Sequence, residues 1–551
     1  MSHVEQLSPP ITGNTAPNAN ADTVSNWIEA MTLDEIEIGA RRILRAAGKQ
    51  ILLVRTEDAV HACNNRCPHE GYPLMEGSVA SDTGACVLTC NWHNWKFDLI
   101  SGETLVGGDA LRRYPVEIRD GVIWLDVADP PAARRIEAAL ENLHDSFEDH
   151  EYDRMAREIA RLIKAGGDPL DAVRHAIDWT HQRFEYGTTH AFAAAPDWLA
   201  LRDRLAGGDP ALELAPLVEI VGHLCWDSLR WRSFPFPEGT RDFDPDALVL
   251  AIENEDEAGA MALVRGALAS DAGAAALDGP MSRAAAAHYQ DFGHAMIYTY
   301  KARQLVDALG EEAAPAIYLC LARSLVYASR EDLIPEFRAY GETRSGWDGG
   351  GGETVDGEAF RHLGVKQALA TAAAASGDPG ALFDALVSAA AWQMLHFDMG
   401  YMHQDHRPVP DNINWLDFTH ALTFANAGRV QAERHPELWP DVLLQLACFT
   451  GRNAKYTDGD QDISRWMVDD PLVFIDEACR EVFDHGQFEY IVSAHLVKLA
   501  VAAREELLAR PDAPWAGLMA ASVNRFMHEP LKRKHTTRTA RQALGFVAPE
   551  G

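Results

Sequence analysis

The sequence predicts a multidomain chain, a small antiparallel β domain followed by a large, mostly α-helical domain with an internal duplication. Three observations predict it. Between Ile43 and Val127, short β-branched runs are broken by turn residues. From Ala132 the composition turns abruptly to Ala, Leu, Arg and Glu, with apolar residues at helical spacing. Within that helical region, the stretch from Trp179 to His190 matches the stretch from Trp392 to His403 without a gap.

Taken in order, residues 1–25 are rich in Pro, Asn, Ser and Thr, lack an apolar core, and are expected to be a disordered lead-in rather than a signal peptide. The β domain is expected over 26–131. Its strands are Gln50–Arg55, Ala85–Cys90, Val116–Arg119 and Val122–Val127, with Asp120-Gly121 as a hairpin turn and Asp129-Pro130-Pro131 as the stop. The helical domain is expected over 132–529, beginning with amphipathic helix from Arg135 to Ala165, and its repeat halves fall at about 170–310 and 380–508. Residues 530–551 form a basic tail. The net charge of −33 argues against nucleic acid or an anionic membrane as partner and would draw in a basic redox protein. Eight cysteines in 551 residues do not make a disulfide framework, and no apolar run is long enough to span a bilayer. A reducing cytoplasm is the expected setting.

The β domain carries the densest chemistry. Cys67-Pro-His69 and Cys90-Asn-Trp-His93 offer two thiolates and two imidazoles on two turns, a set that suits zinc or iron–sulfur chemistry. The surrounding residues are Glu70-Gly71-Tyr72-Pro73-Leu74, Gly77, then Asn94-Trp95-Lys96-Phe97-Asp98 and Gly102-Glu103. This stretch resembles the Rieske [2Fe-2S] domain of ferredoxins and ring-hydroxylating oxygenases. The resemblance implies Cys67, His69, Cys90 and His93 as cluster ligands. The other cysteines, Cys63, Cys86, Cys225, Cys320, Cys448 and Cys479, then remain free thiols. Two departures leave the ligands in place. Twenty residues separate His69 from Cys90, a few more than usual, which is expected to lengthen a loop at Ala80–Ala85; and Asn94 stands where the family usually has glycine. Tyr72 and Trp92 occupy the places of the extra disulfide cysteines of cytochrome bc-type members, and Phe97 that of a tyrosine which there hydrogen-bonds the cluster. Fewer donors imply a lower potential, suited to passing electrons towards an oxygen-activating site.

The internal match selects histidines. Trp179, Phe184, Glu185, Gly187 and His190 pair with Trp392, Phe397, Asp398, Gly400 and His403. A second pattern, His-[Ala/Leu]-x7-Arg, recurs at His223, His294, His420 and His495, with arginines at 232, 303, 429 and 504 expected to pair with helix carboxylates. Two lobes would then each supply three histidines and an acid: His190, His223, His294 and Glu185, against His403, His420, His495 and Asp398. Carboxylates and imidazoles on facing helices build iron sites. The competing reading is that these histidines only pack the helices. Asp291 and Asp417, three residues before their histidines, are expected to accept from His N–H groups. His288, His396 and His406 fail the match and are the weaker candidates.

The sequence therefore suggests an oxidoreductase. A ferredoxin or NAD(P)H-dependent reductase would feed the [2Fe-2S] cluster, and a His-rich non-haem site of one or two iron ions would activate O2 to oxidise a small organic substrate. The alternative is a Rieske electron-transfer or redox-sensing module on a helical scaffold without a second metal.

Overall fold

A computed structural model describes residues 12–13, 25–82, 85–229, 231–532 and 534–550. The chain divides into two compact units, Met1–Pro169 and Leu170–Gly551.

Among the described residues, the first unit holds three small sheets. Lys49–Arg55 lies between Arg41–Ala46 and Ala59–Asn64; Val122–Asp126 lies between Val116–Arg119 and Trp27–Thr32; and Ser78–Asp82, Ala85–Thr89, Lys96–Asp98 and Thr104–Val106 form a meander. All of these pairings are antiparallel, as expected. Asp120 and Gly121 both take positive φ, 49° and 80°, the backbone a tight two-residue hairpin needs. Alternation is visible in burial. Leu88 and Phe97 face the core from paired strands, while Val87 and Lys96 are only half buried. The cluster-side core joins Leu52, Leu74, Leu88, Phe97, Leu99 and Leu111 to Cys67 and Cys90, so both thiols stand on a packed base.

Several expectations need correction. The long spacer at Ala80–Ala85 runs on strands rather than a loop: Ser78–Asp82 pairs with Ala85–Thr89, so the extra residues lengthen a hairpin. Most of the expected lead-in lies outside the described residues; within it, Thr12 and Gly13 pair in parallel with Ala59 and Val60. The first compact unit does not end at 131. Helices Ala132–Glu148 and Tyr152–Ala165 belong to it as a hairpin. Their attachment is ionic. Asp109, fully buried in the β domain, accepts from Arg157 at 2.8 and 3.2 Å and from Arg161 at 2.9 Å, and lies 3.3 Å from Arg154. Burial opposes the charged carboxylate, yet these guanidiniums hold its pKa below the usual range. The expected tail contains a helix, Thr536–Val547, whose Gln542 bonds Asn412 and the Arg407 carbonyl.

The second unit is helical, as predicted. Four of its helices matter here: His190–Arg204, His294–Leu309, Trp415–Arg434 and Tyr490–Ala509. The His190 helix packs against the His294 and Tyr490 helices, and the Trp415 helix packs against the same two, closing a ring of four. Their inward residues are almost all buried, and amphipathic periodicity is lost because these helices are apolar on nearly every side. No helix among the described residues is long and apolar enough to cross a membrane.

Candidate metal centres

In the first unit, two turns meet. The first follows strand Ala59–Asn64 and is closed by Gly71 N–H donating to the Cys67 carbonyl and Cys67 N–H to that of Tyr72, both 2.9 Å. The second links Ala85–Thr89 to Lys96–Asp98 and is closed by Cys90 N–H donating to the Trp95 carbonyl at 2.8 Å. Asn94 makes that turn with φ +60°, the left-handed conformation that glycine takes most easily and asparagine tolerates. The departure at Asn94 therefore has a backbone reason.

Cys67 and Cys90 are 3% and 1% exposed and unbridged. Burial pushes the Cys67 thiol up to about 11, and Cys90 pushes it further in the same direction, while the backbone amides of His69 and Glu70 donate to it and favour the thiolate. His69 and His93 stand edge to face with ring centroids 4.7 Å apart, and Trp95 stacks on His69 at 4.5 Å with its plane tilted only 10°. Gly107, at φ +123°, permits this stack, because a Cβ there would lie 2.3 Å from the indole. The Nδ1 of His69 is buried and lacks a hydrogen-bond partner. An orphaned, buried imidazole nitrogen and two buried, unbridged thiols, one of them met by backbone amides, fit a cluster that takes two Cys and two His. His93 is more open, its side chain 40% exposed.

The second unit brings together four histidines: His190, His294, His420 and His495, one from each helix of the ring. One nitrogen of each lies within 4.8 Å of the others. The Nε2 atoms pair at 3.1 Å (His294 with His190) and 3.0 Å (His495 with His420), and rings 294 and 420 are 4.4 Å apart. Backbone carbonyls fix the tautomers. His294 Nδ1–H donates to Asp291 O and His495 Nδ1–H to Ile491 O, both at 2.6 Å, which leaves each Nε2 as a lone pair facing the centre. Tyr298 OH stands 3.4 Å from His190 Nδ1. Burial pulls all four pKa values down, His294 to about 3, and neighbouring cations add to the effect. The imidazoles are thus neutral at ordinary pH, the state a metal needs. With metal–nitrogen bonds of about 2.0–2.1 Å, nitrogens 3–4.8 Å apart suit one ion. Among the described residues, no carboxylate joins the group to bridge a second.

The remaining selected residues lie elsewhere. His403 is exposed, and its carbonyl accepts from Lys532. His223 is buried but sits 3.4 Å from Asp227 and stacks on Tyr490. Glu185 is exposed, and Asp398 accepts from the Gly400 amide at 2.7 Å. Of the three histidine pairs in the internal match, only His294 and His495 share an environment, so the duplication is not confirmed. The match followed spacing along the chain, whereas membership of the site depends on which helices close the ring. Asp291 serves His294 through its carbonyl rather than its carboxylate, and Asp417 caps Asn414 and pairs with Arg452 at 2.8 Å. Arg303, Arg429 and Arg504 do pair with carboxylates, of Asp278, Glu506 and Asp476. His288 bridges Asp332 and Glu253, His396 stacks on Trp392, and His406 is exposed.

Histidine spacing did not single out Lys498. One turn beyond His495, it is 1% exposed and its Nζ has no hydrogen-bond partner. Nearby, Lys301 Nζ donates to Asp197 Oδ1 at 2.7 Å, and burial raises that acid to about 7. The signal was legible: Lys498 interrupts the run Ala-His-Leu-Val-Lys-Leu-Ala-Val in a helix that has no polar face. Burial pulls Lys498 from 10.5 down to about 7, with Asp197 opposing and Lys301 adding to the shift. The unfolded chain therefore holds this proton up to about pH 10.5 while the fold releases it near 7. The residue's penalty is full below pH 7 and fades as pH rises towards 10.5. Lys498→Met should raise the unfolding free energy of metal-free protein by a few kcal/mol near pH 6.5, since each tenfold loss of proton affinity on folding costs about 1.4 kcal/mol, and by much less near pH 10. Urea titrations at the two pH values check this.

A packed iron–sulfur turn pair on a small antiparallel β domain defines an electron-transfer module. Residues 26–114 match the Rieske [2Fe-2S] domain model. The chain is 30% identical over 102 residues to the ferredoxin component of the naphthalene 1,2-dioxygenase/salicylate 5-hydroxylase systems of Ralstonia sp, covering 94% of that protein and 18% of this one. It is 26% identical over 117 residues to the ferredoxin component of the alkene monooxygenase system of Xanthobacter autotrophicus, covering 93% of it and 21% of this chain. It is 35% identical over 102 residues to 4beta-methylsterol monooxygenase of Methylococcus capsulatus, covering 27% of that enzyme and 16% of this chain. Through its N-terminal domain the chain belongs to the Rieske [2Fe-2S] family.

Proposed function

We propose that this chain is a Rieske-type non-haem iron oxygenase with an unusual second half. The domain takes electrons from a ferredoxin or an NAD(P)H-dependent reductase, and the four-histidine centre of the helical unit holds a single redox-active iron ion. A Rieske cluster, when bound, passes one electron at a time, and an iron ion on imidazoles supplies O2 activation towards a small organic substrate. The chain's own residues do the rest. Cys67, His69, Cys90 and His93 hold the cluster, and His93 offers its more open edge to redox traffic. His190, His294, His420 and His495 present four neutral nitrogens, two of them oriented by backbone carbonyls. Packing on all sides excludes bulk water from the His495 side.

The observation that carries this reading is the convergence of one histidine from each of four helices, with Nε2 atoms as close as 3.0 Å. A fold that only packs has little reason to gather four imidazoles beside an unpartnered lysine. Ligand type alone does not choose between iron, copper and zinc; an electron-delivering domain excludes zinc, which cannot accept electrons, and metal analysis decides between iron and copper. Metal analysis of the purified protein, with Mössbauer or EPR spectra to separate the cluster from other iron, tests it. About three irons per chain are expected, two in the cluster and one outside it. A protein with an intact cluster, two irons and no other metal returns the helical unit to the role of scaffold.

A further inference from the structure

The helical hairpin that extends the Rieske domain does more than pack. Between it and the β sheets lies a cleft of about 740 Å³, lined wholly by residues of the first unit. Its charge is the reverse of the chain's. Six cations line it (Lys49, Arg66, Arg112, Arg135, Arg161 and Lys164) against two acids, Asp129 and Glu158, in a protein of net charge −33.

Acids compensate only half of this set, for Arg161 is already paired with the buried Asp109 at 2.9 Å. Asp129 takes Arg112 at 2.6 Å and Lys49 at 3.4 Å. Glu158 is fully buried, and burial outweighs its Arg161 partner and raises it to about 7. Its Oε2 is buried with no hydrogen-bond partner. Arg66 and Arg135 hydrogen-bond backbone carbonyls, those of Gly71 and Pro130, which satisfies donors but leaves the charge. No ion pair reaches Arg66, Arg135 or Lys164 among the described residues. Such a concentration of cations around one concavity is costly without an anion, and the planar guanidinium fork matches phosphate and carboxylate oxygens. The volume falls in the ordinary range for organic ligands, roughly 300–1,000 Å³, far above what a lone phosphate ion fills.

We infer that this cleft binds a phosphate-bearing organic anion of nucleotide size. Both walls contribute, Arg135 and Lys164 from the hairpin and Arg66 from the residue before Cys67. The site also touches the cluster turn, since Arg66 precedes Cys67 in the chain and Arg161 reaches the Pro68 carbonyl at 3.5 Å. A bound polyanion would place negative charge beside that turn and favour the oxidised cluster, lowering its potential. The hairpin lies outside the matched residues 26–114, so the site belongs to this chain's own extension and stands whether or not the helical unit holds a metal.

The test uses the full chain with its cluster and three probes: ATP, inorganic pyrophosphate and citrate. Isothermal titration calorimetry should give ATP binding in the micromolar range that weakens with added salt. The double variant R135Q/K164Q should keep its far-ultraviolet circular dichroism and cluster absorption while its Kd for ATP rises at least tenfold. ATP should lower the cluster midpoint in the parent protein and leave it unmoved in the variant. Three results overturn the inference: no ATP binding at millimolar concentration; ATP binding indifferent to the double variant; or citrate or pyrophosphate bound as tightly as ATP, which would make the cleft a general counter-ion trap.

Discussion

His294→Ala and His420→Ala should each strip the metal from the helical unit and reduce substrate oxidation at least a hundredfold, while the Rieske spectrum and its reduction by the electron donor persist. Each change removes one of four converging nitrogens. It also breaks an Nε2 pair, His190 with His294 or His495 with His420, and leaves the partner's Nε2 without that contact. That stranding costs about 1–3 kcal/mol, so activity has to be compared in protein shown to be folded. Cluster iron should be untouched, because its ligands stand in the other compact unit. His403→Ala is the informative control. The internal match ranks it with His190, yet it is exposed, and its loss should alter neither metal content nor activity. If His420→Ala folds, keeps normal iron and turns over, the four histidines are packing residues.

The second large effect is expected at His93. His93→Cys should retain iron but replace a neutral imidazole by a thiolate on the outer iron. The added negative charge stabilises the oxidised state. The potential should fall by an amount on the order of hundreds of millivolts, towards the about −400 mV of all-cysteine plant-type clusters. Because Cys67 and Cys90 rest on the core formed by Leu74, Leu88 and Phe97, and His93 is comparatively open, the exchange should leave the fold intact. Visible absorption, EPR and a redox titration follow it. A parent protein that binds zinc without sulfide at this site would end the Rieske assignment of these ligands. Phe97, fully buried and without a hydroxyl, offers the cluster no hydrogen bond. Phe97→Tyr is thus the natural companion, moving the potential the opposite way if its hydroxyl reaches the cluster.

Two kinds of information were legible in the sequence for physical reasons. The cluster ligands were local: Cys67 and His69, and Cys90 and His93, sit on two short turns, so their spacing along the chain is nearly their spacing in space. Strands such as Val122–Asp126 and the abrupt onset of helix at Ala132 were equally local, set by β-branching, by Asp120-Gly121 and by Pro130-Pro131. The histidine-bearing helices were also recognisable one at a time. His294, His420 and His495 share a pattern, and His190 was found through the match to His403.

Which of them meet was a different question. His190 and His403 share a Trp, a Phe, an acid and a Gly at the same spacing, yet His190 begins a 15-residue helix inside the ring of four, whereas His403 ends a four-residue helix at the surface. His223 lies mid-helix like His420, but its helix, Pro210–Ser228, is not one of the four that close the ring, and Asp227 takes it instead. Periodicity says which face of a helix is apolar. It does not say which helix that face will meet, and in helices buried on every side it does not even select a face. The hairpin's place in the first unit was decided the same way. Periodicity gives an amphipathic helix there, but not that Arg154, Arg157 and Arg161 surround the buried Asp109, some fifty residues earlier. The sequence by itself determined the iron–sulfur turns and the class of each element, because both are settled within a few residues. Only the tertiary structure decided the four-histidine centre and the basic cleft, because each is assembled from side chains whose distance along the chain carries no information about their distance in space.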